Sequence, residues 1–254
     1  MSTRRGVTEH WYTDDQFERQ LGDPAQERII HARWRTFGDA IDRVRRTTGG
    51  RALRVLDAGC GDGINLVGLR RVLSENPQPW ELFALDSSAV RVARAAVPAR
   101  AGKRILLGSV TTLPLQSASL DIVICNQVIE HVPGPEVAID EIARVLRPGG
   151  VAVIGVPNEG CLLAQLRNHV FQRSILTATD HVNFFTRPSL LRLLGGHGFD
   201  VAEIRTEGFF PPHMRLLTLA RSSRMGRAAL EVARRMLPSQ AGGLLAIAVR
   251  GGAA

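Results

Sequence analysis

Val55-Leu56-Asp57-Ala58-Gly59-Cys60-Gly61-Asp62-Gly63 carries an apolar run into a carboxylate and then into three glycines at alternate positions. The helical pattern Ile64 to Leu73 follows directly, so the order is strand, turn, helix. Glycine at 59, 61 and 63 lets the backbone turn sharply and approach a ligand with no Cβ in the way. The N–H groups at the start of the following helix face the same ligand. A dinucleotide-binding loop would set its third glycine one position later. Asp57 also suits a cationic or amine-bearing ligand better than a pyrophosphate, because two anionic groups repel.

Outward from this loop, apolar stretches rich in β-branched residues alternate with helical patterns. That alternation predicts an α/β fold with a mostly parallel sheet covered by helices on both faces. Seven strands are expected, at 53–58, 81–86, 104–108, 121–126, 150–156, 199–206 and 243–249. Val137, Ile139, Ile142, Val145 and Leu146 fall at helical spacing over 135–146, and Pro148-Gly149-Gly150 is expected to stop that helix. Phe17, Leu21, Ile29, Ile30, Trp34, Phe37 and Ile41 predict one or two helices over 14–47.

A single domain is the expected organisation: a helical N-terminal extension over 1–50, a core carrying the glycine loop over 51–157, and a substrate-side half over 158–254. Within that half, 158–186 and 209–240 are too long for tight connections and are assigned to acceptor recognition.

Composition narrows the class. The 254 residues can bury one sizeable core. Cys60, Cys125 and Cys161 form neither a disulfide framework nor a paired-cysteine zinc pattern, and a reducing cytoplasm is the expected setting. No secretory or membrane-spanning segment is read. The net charge of +8 could draw nucleic acid, anionic lipid or acidic substrates. Lys103 is nonetheless the only lysine, and the arginines are spread along the chain, which reads as codon bias. Sparse aromatics, 5% of residues, and the lack of a base-stacking motif argue against nucleic acid as the partner.

Three further runs accompany the glycine loop. Glu81-Leu82-Phe83-Ala84-Leu85-Asp86 ends a strand in an acid. Gly108-Ser109-Val110-Thr111-Thr112-Leu113-Pro114-Leu115 leaves the third strand. Ser119 to Val132 contains Gln127-Val128-Ile129-Glu130-His131 and is followed by Glu141-Ile142-Ala143-Arg144-Val145-Leu146-Arg147-Pro148-Gly149-Gly150. Across about residues 50–205 the chain resembles the class I S-adenosylmethionine-dependent methyltransferases, in particular the small-molecule branch with the ubiquinone-biosynthesis O-methyltransferases.

The resemblance implies a Rossmann-like fold and S-adenosylmethionine as cofactor. It implies a cofactor site of Asp57, Gly59, Cys60, Gly61, Gly63, Asp86, Ser87, Ser109, Val110 and Asn126. In this family the glycine loop wraps the methionine part and the acid matched by Asp86 accepts from both ribose hydroxyls. Ser109 stands where the family usually has an acid, so a charge-assisted contact near the adenine is lost.

Methyl transfer is an in-line displacement that mostly demands orientation, and a hydroxyl acceptor also gains from losing its proton. His131, at the end of the fourth strand and so on the edge where open α/β sheets bind ligands, and His181, in Asp180-His181-Val182-Asn183-Phe184-Phe185-Thr186, are the candidates for that task. A capping or packing role is the alternative for His131, and a bond to Asp180 the alternative for His181. Relatives that bind a divalent metal use a Glu-x-x-Glu-His cluster, and Gln127 replaces its first carboxylate here, so no required metal is expected.

The expected acceptor is a small molecule, partly apolar. Methylation of RNA or protein and a non-catalytic binding module are the competing readings. His213 to Leu237 is basic and amphipathic, and is read either as a helix packed on the sheet or as a surface for acceptor or anionic membrane.

Overall fold

The computed structural model describes residues 24–99, 104–173 and 180–252. Phe17, Leu21, Lys103 and part of the 158–186 segment lie outside the described residues. Seven strands form one sheet in the order β3-β2-β1-β4-β5-β7-β6. They are β1 (Leu53–Ala58), β2 (Trp80–Asp86), β3 (Ile105–Leu107), β4 (Leu120–Asn126), β5 (Leu146–Pro157), β6 (Phe199–Phe209) and β7 (Ala241–Arg250). Neighbours from β3 to β5 pair in parallel, and β7 alone runs antiparallel to its partners β5 and β6. The fold is the expected α/β, Rossmann-like one.

Eight α-helices are described: α1 (Pro24–Arg45), α2 (Ile64–Ser74), α3 (Ala89–Ala99), α4 (Pro135–Val145), α5 (Leu162–Leu166), α6 (Arg187–Gly196), α7 (Met214–Arg221) and α8 (Arg224–Met236). Two cores sandwich the sheet. Ile30, Phe37 and Ile41 of α1 with Leu66 and Leu69 of α2 cover one face. Ile139 and Ile142 of α4 with Leu190 and Leu194 of α6 cover the other. All seven residues of β4 are buried, so the strand reads as a continuous apolar run rather than an alternation.

Several boundaries move. The 14–47 pattern is a single helix from Pro24 within the described residues. Its Trp34 lies where Gly68 of α2 has no side chain; a Cβ there would come within 2.3 Å of the indole. The helix over 135–146 ends at Val145, before the Pro-Gly-Gly expected to stop it. Leu146 is already extended, and β5 begins there rather than at 150, because proline at 148 disfavours helical backbone ahead of it. β6 reaches Phe209, beyond the expected 206, because it pairs with β7 along its whole length.

These pairings set the functional edge. β1, β2, β4 and β5 end together at Ala58, Asp86, Asn126 and Pro157, the edge where open α/β sheets bind ligands. β6 is parallel to β5, so Phe209 ends at that edge too.

Candidate active site

At this edge the β1 loop folds back on β2. The N–H groups of Gly59 and Cys60 donate to the Leu85 carbonyl at 2.7 and 2.9 Å. Gly59 has φ 82°, and a Cβ on it would come within 2.3 Å of Val128, so both backbone and space require glycine. Gly61 faces open space, with no atom within 4 Å of a Cβ placed there. Asp86 clamps the loop: Oδ2 accepts from the Gly61 N–H at 2.8 Å and Oδ1 from the Ser88 N–H at 2.9 Å. Each oxygen keeps a lone pair for a further donor.

Asp57 is fully buried, and neither carboxylate oxygen has a hydrogen-bond partner among the described residues. Burial, followed by the charge of Asp86, pushes its carboxyl up to about 7, with Arg33 of α1 acting the other way. An orphaned buried acid is costly unless a ligand completes it. An ammonium group on a ligand could donate to these oxygens, and a sulfonium could offset their charge.

Gly59, Cys60, Gly61 and Asn126 line one cleft, together with Arg33, Asp62, Ile64, Asn65, Arg91 and Gln127. The buried Oδ1 of Asn126 is likewise unpartnered among the described residues, and Gly155 leaves room for it. Gly63, with φ 91°, caps α2 from behind, against Ala95. Ser87 and Ser109 are exposed and Val110 is buried. The Ser109 Oγ is engaged in its own turn, 2.7 Å from Thr111 Oγ1 and accepting from the Thr111 N–H at 3.2 Å. Burial holds the Cys60 thiol well above the usual range, so it is neutral.

His131 and His181 meet, with ring centroids 4.8 Å apart in an edge-on arrangement. His131 ends a short 3₁₀ turn, Ile129–His131. Asn183 fixes this turn from the other segment by donating to the Ile129 and Val132 carbonyls at 2.9 and 2.7 Å. The N–H groups of Val182 and Asn183 donate to the Glu130 carbonyl at 2.8 and 3.0 Å. Asp180, weighed from sequence as a partner of His181, places Oδ1 3.0 Å from Nδ1 of His131, within ion-pair reach but not aligned for a hydrogen bond. The other nitrogen, Nε2, lies 3.9 Å from Oε1 of the fully buried Glu130.

Burial alone would lower the His131 pKa, but Asp180 and Glu130 outweigh it and hold the pKa above the usual value. Burial and the neighbouring His131 press His181 down to about 4. Glu130 is pushed up to about 7, first by burial. Asp180 and Glu130 thus favour the charged form of His131, whereas His181 is neutral at neutral pH. Glu130, His131 and His181 each offer a ligand atom, all within 4.8 Å of one another, so they could also hold a metal ion.

Arg33, Arg91, Asn65 and Asn183 were not singled out from sequence. Arg33 is one of many arginines and reaches the cleft only because α1 packs across the sheet. Asn183 stands two residues after His181, so its place in the Asp180–Thr186 run was the only signal available. A second, larger groove of about 1500 Å³ runs along α1 between β6 and α8; no residue of the glycine loop lines it. The open backbone at Gly61 and the unpartnered Asn126 Oδ1 belong to the smaller cleft.

The loop, the strand order and the acid after β2 define the architecture of the class I S-adenosylmethionine-dependent methyltransferases. A family model described as a methyltransferase domain matches residues 27–204, and the chain belongs to that family, with S-adenosylmethionine as its cofactor. The malonyl-[acyl-carrier protein] O-methyltransferase of Enterobacter lignolyticus is 36% identical over 117 residues, covering 46% of this chain and 43% of that one. The ubiquinone biosynthesis O-methyltransferase of Cupriavidus pinatubonensis is 27% identical over 165 residues, covering 62% and 64%. The chain thus spans less than two thirds of the length of either relative. Among solved structures, geranyl diphosphate C-methyltransferase from Streptomyces coelicolor A3(2), in complex with Mg2+, geranyl diphosphate and S-adenosyl-L-homocysteine, superposes with a TM-score of 0.58. It is 17% identical, covers 96% of this chain and 85% of that one, and shares the fold.

Proposed function

We propose that this chain transfers a methyl group to the hydroxyl oxygen of a small, partly apolar acceptor by in-line displacement. The observation that carries the reading is the His131–His181 pair with Asp180 against it, His131 standing four residues after Gln127 of the glycine-loop cleft. When bound, S-adenosylmethionine supplies the electrophilic methyl group. Asp57 and the open backbone at Gly61 would hold its amino-acid part, and Asp86 its ribose hydroxyls. Asn126 would line the methyl-donor end, Ser87, Ser109 and Val110 would flank the base, and Cys60 and Gly63 complete the loop.

The acceptor hydroxyl's proton would pass to a neutral imidazole of the His131–His181 pair, and the Asp180 carboxylate would offset the positive charge that forms there. Two of the named relatives are O-methyltransferases, which supports oxygen as the acceptor atom. The proposal includes a single methyltransferase domain over 1–254, with 158–186 and 209–240 choosing the acceptor. It also includes a cytoplasmic setting, in keeping with three free, buried cysteines. Among the described residues no helix is long and apolar enough to cross a membrane.

The test is turnover against a panel of phenolic and enolic acceptors, with His131→Ala and His181→Ala alongside the unaltered chain. Each substitution is expected to lower turnover about 100-fold, the lower range for a lost general base, with cofactor affinity nearly unchanged. Loss of cofactor binding in both variants would refute the base assignment. The reading requires no metal, because Gln127 removes one charged ligand. Activity abolished by a chelator and restored by magnesium would overturn that part and make Glu130, His131 and His181 the ligands.

A further inference from the structure

Helix α8 is turned with its apolar side outward. Met225, Ala228, Ala229, Val232 and Met236 recur at helical spacing, and all are exposed, Met225 to 84% and Met236 to 75%. No residue of the helix is buried. Its opposite side, with Arg227, Glu231 and Arg234, faces the groove along α1 and β6. A helix that packs on a sheet normally does the reverse. Leu216 and Leu219 of α7, the latter 69% exposed, and Leu237 extend the apolar surface.

The charge around this ridge selects its occupant. From 210 to 240 there are six arginines (Arg215, Arg221, Arg224, Arg227, Arg234 and Arg235) and one acid, Glu231. That acid is already committed to Arg234 and Arg235 at 2.8 and 2.9 Å. Arg215, Arg224 and Arg235 are exposed on the same hairpin. A second copy of the chain would bring these arginines against their own counterparts, which is repulsive. A nucleic acid would leave the methionine and leucine ridge unused, since stacking needs aromatic rings. An anionic bilayer satisfies both features, apolar side chains entering the acyl boundary and guanidinium groups meeting lipid phosphates.

We infer that the α7–α8 hairpin docks this protein on an anionic lipid surface. Because β6 delivers the chain to α7 at the functional edge of the sheet, docking sets the mouth of the active site beside the bilayer. An apolar acceptor dissolved in the membrane would then be within reach. Docking itself stands on the hairpin alone, independently of the acceptor proposed above.

The experiment sediments the full chain with vesicles of phosphatidylcholine alone or mixed with phosphatidylglycerol, at low and high salt. Two variants, Met225→Asp/Met236→Asp and Arg224→Glu/Arg235→Glu, are run beside it. Binding is expected only to the anionic vesicles, weakening with salt. It should fall at least tenfold in the first variant and roughly thirtyfold in the second, about one kcal/mol for each arginine removed from the surface. Both variants should keep their thermal shift with S-adenosylhomocysteine, because the four altered side chains are exposed and none belongs to the glycine-loop cleft. Failure of the unaltered chain to bind anionic vesicles, equal binding to both vesicle types, or unchanged binding in either variant overturns the proposal. So does a dimer, seen by light scattering, that Met225→Asp/Met236→Asp abolishes, since the ridge would then belong to a second copy.

Discussion

Asp57 and Asp121 are both buried aspartates on neighbouring parallel strands, and they are treated in opposite ways. Asp121, near the start of β4, accepts from Arg51 at 2.9 and 2.5 Å, from Arg147 at 2.7 Å and from the Arg54 N–H at 2.8 Å. Burial raises its pKa, but those donors prevail and hold the carboxyl below the usual range. Asp57, at the end of β1, has no partner on either oxygen among the described residues and is pushed up to about 7. One edge of the sheet is closed by a finished ion network; the opposite edge holds an acid left incomplete. A carboxylate that folding itself completes is structural, and one that folding leaves bare is prepared for a ligand.

The sharpest way to break this contrast is pH. A raised carboxyl pKa gives a stability contribution that is full below the unfolded value, near 4, and lost as pH rises through the folded value. Without cofactor, Asp57 should therefore cost increasing stability between about pH 4 and pH 7, up to about 4 kcal/mol for three pKa units. Glu130 adds to the same trend. Asp121 has the opposite sign: its contribution is present above about pH 4 and is lost on acidification through its lowered pKa. Thermal melts from pH 3 to 9 should show a maximum on the acid side of neutrality, and saturating S-adenosylhomocysteine should flatten the alkaline decline. An unchanged alkaline limb would show that Asp57 does not meet the ligand.

Next in size is Asp121→Ala, which strands Arg51 and Arg147. Chemical denaturation should report a loss of about 3 kcal/mol, the lower range for breaking a buried pair because both arginines are partly exposed. Calorimetric cofactor affinity of the folded variant should not move. Asp57→Asn should do the reverse, weakening cofactor binding roughly 30-fold, about 2 kcal/mol for a lost charged hydrogen bond, while stabilising the ligand-free chain at pH 8. If both substitutions lowered stability and spared binding, the contrast between the two edges would be wrong.

The smallest expected effect is at Asp180. Asp180→Asn removes a carboxylate that raises the pKa of both histidines, so the acidic limb of the kcat–pH profile should move down by about one unit, worth about 1.4 kcal/mol. A limb that stays in place would assign Asp180 to packing.

The sheet was legible because its central strands are buried on both faces and read as apolar runs, and because glycine at 59 and 63 occupies left-handed backbone at close approaches. The ends of elements were less so. β6 exceeds its apolar pattern through pairing with β7, and Leu146 turns extended three residues before the glycines that looked like the stop. Among the site residues, Asp57 and Asp86 were readable because each closes a strand at the functional edge. Arg33 was not, since nothing local separates an arginine that crosses to the cleft from one that faces water.

By itself, then, the sequence determined the α/β class, the strand positions and the cofactor loop, because periodicity and glycine placement are local properties. Only the tertiary structure decided that Asp180 lies against His131, that the pKa values of His131 and His181 are driven in opposite directions, and that α8 turns its methionines outward. Each of these depends on which distant segments the packed sheet brings within a few ångströms, and burial there fixes both protonation and exposure.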